Sequence, residues 1–235
     1  MPLNRVILQG RVLTSPVDVP DNENRIRFAL AVPRPPYLPG KRGGDNADHL
    51  LVEVVRPSAK VRSFLESGAH VLIAGFLEHR DSRRFGLVVR AQYISRVNDR
   101  MGVNEVVVKG FLAHDPLMFL TRSRRLKITF RLAVPRPHGI PDTPRLSYMS
   151  VEVYGDWVKP LATELRRGVY VLVYAYLQSR DDAGDAERGW PLSLVAHEVA
   201  PLRRGEEDEM VREFDDAEPA ALVDSLLQRL KEETL

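Results

Sequence analysis

The feature that most constrains this fold is a repeat. The segment Asn4-Arg-Val-Ile-Leu-Gln-Gly10 returns as Asn104-Glu-Val-Val-Val-Lys-Gly110, offset by 100 residues. Phe28-Ala-Leu-Ala-Val-Pro-Arg-Pro35 returns as Phe130-Arg-Leu-Ala-Val-Pro-Arg-Pro137, offset by 102. Val52-Glu-Val54 reappears as Val151-Glu-Val153, and Gly68–Arg80 matches Gly168–Arg180. Four matches in one order, with an offset that drifts only as loop insertions would shift it, point to a duplicated unit. The sequence therefore predicts two copies of one domain, 1–98 and 104–203, followed by a tail over 204–235.

Within each copy the strand signal dominates. In the first, Arg5–Leu8, Arg25–Val32, Leu51–Val55, Val71–Leu77 and Phe85–Val97 are rich in β-branched residues and partly alternate polar with apolar. One helical stretch interrupts them, Ser58–Ser67, with Val61, Phe64 and Leu65 on one face and Gly68 placed to end it. Its counterpart is Asp156–Arg167, where Trp157, Leu161 and Leu165 recur every four residues, a spacing that makes Trp157 a core contact. Proline and glycine gather between the second and third strands (33–44 and 135–141) and in the last hairpin (80–86 and 180–189), marking these as loops. Three strands, a helix and two strands in ~100 residues predict an all-β fold with one short helix per barrel. The expected architecture is two tandem OB-fold (oligonucleotide/oligosaccharide-binding) five-stranded Greek-key barrels, plus an acidic tail ending in a helix.

Composition narrows the chemistry. The chain has no cysteine, which removes disulfides, thiolate metal sites and a cysteine nucleophile. Its six histidines lack metal-ligand spacing, and no nucleophile elbow or phosphate loop surrounds its serines, so no enzyme, metal or cofactor is expected. No apolar run reaches the ~18 residues of a membrane span, and no leader pattern opens the sequence, so the expected compartment is the cytoplasm. The net charge of +2 conceals an asymmetry. Residues 1–205 hold 31 basic and 21 acidic side chains, whereas 206–235 hold 3 and 11. A basic body with an acidic tail points to a polyanionic partner.

The repeated motifs, together with Val151-Glu-Val-Tyr-Gly155 and Arg167-Gly-Val-Tyr-Val-Leu-Val-Tyr-Ala-Tyr-Leu-Gln-Ser-Arg180, resemble the bacterial single-stranded-DNA-binding protein family in its two-barrel form. The resemblance covers about 4–98 and 104–202. It implies aromatic side chains that stack on bases, falling here on Tyr148 and Tyr154 of the second copy, with His49 and Val55 at the corresponding places in the first. A third lies in the loop between the second and third strands, near Pro36 and Tyr37 in the first copy and near His138 in the second. Asp182 and Ser82 occupy a fourth, which carries no aromatic residue. Strand binding also needs a basic groove along the phosphates. Arg34 and Arg136 recur at the root of one loop, Arg80 and Arg180 at the root of the other hairpin, and Arg84 adds charge to the first copy.

The sequence thus predicts a non-catalytic protein that coats single-stranded DNA in replication, repair or recombination, as a homodimer, in a bacterial cytoplasm and associated with the nucleoid. The alternative is a protein-interaction or assembly factor of the same machinery, with barrels that have lost most stacking residues. In the tail, Leu222, Leu226, Leu227 and Leu230 form an apolar stripe from Pro219 onward, suited to docking on a replication or repair protein.

Overall fold

The computed structural model describes residues 3–19, 24–34, 46–79, 86–98, 102–135, 146–180 and 190–202. The expected tail helix lies outside these, as do Tyr37, Arg80, Arg84, Arg136 and His138.

The first half contributes β1 (Asn4–Val12), β2 (Val17–Asp18), β3 (Arg25–Pro33), β4 (Ala47–Val55), α1 (Ala59–Phe64), β5 (His70–His79) and β6 (Leu87–Arg96). The second contributes β7 (Val103–Leu112), β8 (Leu117–Leu120), β9 (Leu126–Pro135), β10 (Leu146–Tyr154), α2 (Val158–Glu164), β11 (Tyr170–Ser179) and β12 (Leu192–Pro201). Strands β3, β4, β6, β5 and β1 lie side by side, and a second pairing of β1 with β3 closes them into a barrel. Strands β9, β10, β12, β11 and β7 repeat this order, closed by β7 on β9. Among the described residues, the one parallel contact in each barrel is between the third and fifth long strands, β4 with β6 and β10 with β12.

The repeated residues have repeated jobs. Asn4 donates from its side-chain amide to the Leu77 carbonyl at 2.8 Å and accepts from the Leu77 amide at 3.0 Å, extending the β1–β5 ladder by one rung. Asn104 makes the same pair with Leu177, at 2.8 Å each way. Gly10 and Gly110 stand at the closing seams, where a Cβ would lie 2.4 Å from the Ala31 carbonyl oxygen and 2.5 Å from that of Ala133. Any side chain there would hold the barrel open. Alternation along β3 and β9 buries Ile26, Phe28, Leu30 and Val32 in one barrel and Ile128, Phe130, Leu132 and Val134 in the other.

Both helices are shorter than their sequence patterns. Leu65 and Leu165 leave helical backbone to bury their side chains in the core, which ends α1 and α2 before the glycines at 68 and 168. Trp157 packs against the core, and Ser58 caps α1 by accepting from the Val61 amide. The short edge strands β2 and β8 are additional to the five expected in each copy.

The barrels join through their first strands. β1 and β7 pair antiparallel from Asn4 opposite Val108 to Gln9 opposite Val103, making one twelve-stranded sheet. Two serines at equivalent ends reinforce the junction. Ser179 Oγ accepts from the His49 amide at 2.9 Å, and Ser147 Oγ accepts from the His79 amide at 3.3 Å.

Candidate nucleic-acid interface

The outward positions of β9 and β10 alternate with the core residues, which places Lys127, Thr129 and Arg131 beside Tyr154, Glu152 and Ser150 on one face. Tyr148 stands further along the same face and is exposed, with the Arg131 guanidinium 5.9 Å from its ring centroid. At the other end, the Lys127 ammonium lies 5.0 Å from the Tyr154 ring and 5.6 Å from that of Phe119 on β8. Flat π-faces interleaved with cations are what a single strand requires, since bases stack while phosphates seek positive charge.

Glu152 organises this end of the face. Its carboxylate accepts from Lys127 Nζ at 2.6 Å, from the Tyr154 hydroxyl at 2.5 Å and from Arg180 Nη2 at 2.9 Å. Burial pushes the Glu152 carboxyl up, but the hydrogen bonds from Lys127, Tyr154 and Arg180 and the Lys127 charge outweigh it, so it ionises below its ordinary range. Burial, then the hydrogen bond and charge of Glu152, raise the Tyr154 hydroxyl well above the usual tyrosine value. Tyr154 therefore stays neutral, its ring fixed by its own hydroxyl. Two cations, Lys127 and Arg180, thus meet at this carboxylate, and Arg180 remains largely solvent-exposed. On neighbouring strands, the buried Tyr176 ring lies 5.2 Å from that of His197, whose partial desolvation lowers its pKa.

The equivalent face of the first barrel is filled differently. Glu53, fully buried, takes the place of Glu152 and accepts from Arg27 at 2.8 Å and from Arg90 at 2.5 Å, while Arg90 also pairs with buried Glu78. Val55 stands where Tyr154 is and His49 where Tyr148 is. Trp190, reaching over from the second barrel, sets its ring edge-on at 5.2 Å from His49. Trp190 is itself buried, so it acts as a clamp between barrels and presents no open ring to a base. The sequence reading missed this role. A tryptophan beside the last hairpin was the available signal, but its partner is 141 positions away.

The predicted site residues separate accordingly. Tyr148, Tyr154 and Arg180 come together on or beside the second face. Arg34 does not belong to an open groove. Its guanidinium is buried and donates to Asp48 from Nε at 3.0 Å and from Nη2 at 2.7 Å. Asp48 in turn accepts from the Ser179 amide of the other barrel, so the arginine is spent inside the protein, bracing the junction.

Among the described residues no group of histidine and acidic side chains has the arrangement of a metal site, and no helix is long and apolar enough to cross a membrane. No protein-family model matches the sequence, and no curated protein matches it. Solved structures do. A deletion variant of the single-stranded DNA binding protein from Thermus aquaticus superposes with a TM-score of 0.66 at 22% identity, over 86% of this chain and 96% of that one. The wild-type protein from the same organism gives 0.65 at 22% identity, over 87% and 95%. This chain therefore has the fold of the Thermus aquaticus single-stranded DNA binding protein.

Proposed function

We propose that the protein binds single-stranded DNA without catalysis, in replication, repair or recombination, and that the second barrel carries most of the contact. The observation that carries this reading is the outer face of β9 and β10, where exposed Tyr148 and half-buried Tyr154 alternate with Arg131 and Lys127. The fold shared with DNA-binding proteins supports it. Base stacking on such rings is insensitive to sequence, so binding should show weak base preference and fall as salt rises.

The working unit in this reading is a homodimer. Support for it comes from the resemblance to the two-barrel family and from exposed Phe111 on β7, an apolar side chain that a second copy would cover. The acidic tail competes with DNA for the basic face, and its leucine stripe at Leu222, Leu226, Leu227 and Leu230 docks on a replication or repair protein. A second reading, an assembly factor with little DNA binding, draws on the buried ion pairs that fill the first barrel's face. Fluorescence anisotropy with a labelled thirty-nucleotide oligo(dT), titrated at several salt concentrations, separates the two. Binding that weakens steeply with salt supports the first reading, and absence of binding at low salt selects the second.

A further inference from the structure

The edge strand β8 is the most apolar open surface among the described residues. Leu117, Met118, Phe119 and Leu120 are all exposed, Phe119 to 46%. Its register on β9 sets Phe119 opposite Lys127, and Lys127 is opposite Tyr154 on β10. Phe119, Lys127 and Tyr154 therefore form one row across three strands, two rings flanking a cation, with neighbouring strands about 4.8 Å apart. Glu152 holds the Lys127 ammonium in place at 2.6 Å, so the charge is fixed between the rings. Leu117 stands one outward position along, opposite Thr129, and gives an apolar floor beside the ring.

The same row in the first barrel reads Val19, Arg25 and Val55. Val19 is bonded through its amide to the Arg25 carbonyl, in the place of Phe119, and its side chain is buried. Both ends of the row are thus aromatic in the barrel that carries the open tyrosine face, and both are aliphatic in the other. A protein strand added along β8 would gain nothing from a cation held between two rings. A phosphate joining two stacked bases would lie over it.

Resting on the DNA-binding reading above, we propose that Phe119 is a third base-stacking platform. A single strand leaves the second barrel's face by passing from Tyr154 over Lys127 onto β8. Leu keeps the apolar area of Phe but not its flat ring, and Tyr keeps the ring, so the pair Phe119→Leu and Phe119→Tyr isolates stacking. With thirty-nucleotide oligo(dT), Phe119→Leu should weaken binding about tenfold and Phe119→Tyr by no more than about twofold. A Phe119→Trp variant should show fluorescence quenching on binding beyond that of Trp157 and Trp190 in the wild type. The proposal is overturned, with the DNA-binding reading intact, when the wild type binds and Phe119→Leu binds equally well. Unchanged DNA affinity with an altered mass by light scattering also overturns it, by assigning β8 to a protein contact. Failure of the wild type to bind removes both readings together.

Discussion

The two barrels share a backbone plan and differ in what they do with charge. In the first, Arg27, Glu53, Arg90 and Glu78 neutralise one another beneath the surface. In the second, the corresponding carboxylate, Glu152, is buried too, but it pairs with Lys127 and with an Arg180 that is largely in solvent, and two tyrosines and a phenylalanine stand beside them. The same position of the same strand thus serves as a structural knot in one copy and as the organiser of a binding face in the other. The difference shows that a duplicated barrel keeps its closing residues and varies its outward ones.

The comparison can be broken most severely through the two glutamates. Glu53→Ala leaves Arg27 and Arg90 without their buried counter-charge, and a loss of about 3–5 kcal/mol is expected in denaturant unfolding. Glu152→Ala strands the mostly buried Lys127 but leaves an Arg180 already largely in water, so it should cost less, about 2 kcal/mol. Equal losses would mean that the two carboxylates play one role.

The next largest effect concerns the rings. The double variant Tyr148→Ala, Tyr154→Ala should weaken oligo(dT) binding by about 100-fold at every salt concentration, since each stacked base contributes roughly 1–3 kcal/mol. The matched variant His49→Ala, Val55→Ala should stay within about threefold. Anisotropy titrations on both decide whether the barrels are unequal.

Salt dependence gives a finer reading. Arg131→Ala and Arg180→Ala should each reduce the slope of log affinity against log salt by about 0.7, one phosphate apiece, whereas Arg27→Ala should leave it unchanged. The smallest effect is in acid. Because Glu152 ionises below its ordinary value, its contribution to stability is complete above the unfolded value of about 4.5 and is lost as pH falls through the lower, folded value. Glu152→Gln should therefore flatten the acid limb of the melting-temperature profile slightly, leaving the neutral region nearly level.

How far these distinctions were legible in the sequence depended on whether the cause was local. Asn4 and Asn104, Gly10 and Gly110, and the Phe-x-Leu-Ala-Val strands announced themselves because each repeats at a fixed place and serves barrel closure in both copies. Tyr148 and Tyr154 were found through family resemblance, and alternation then explains why they share a face. Arg34 read as a loop cation because a sequence shows the charge and not the Asp48 that absorbs it. The Arg27–Glu53–Arg90 knot was invisible for the same reason: it assembles three strands whose register is set only by folding. β2 and β8 were missed because two and four residues just after Pro16 and Pro116 carry too little pattern to signal a strand.

The pairing of β1 with β7 has a consequence for how such a molecule can change over time. Between separate identical chains, an interface of this kind would dissociate on dilution, and every substitution would appear on both sides of it. With only a few residues between the end of β6 and the start of β7, the two strands meet at an effective concentration in the millimolar range, whatever the amount of protein. Assembly has become a step of folding. Joining the two barrels in one chain also releases each half from the symmetry of the other. One barrel can then trade ligand contacts for rigidity while its covalent neighbour keeps the contacts.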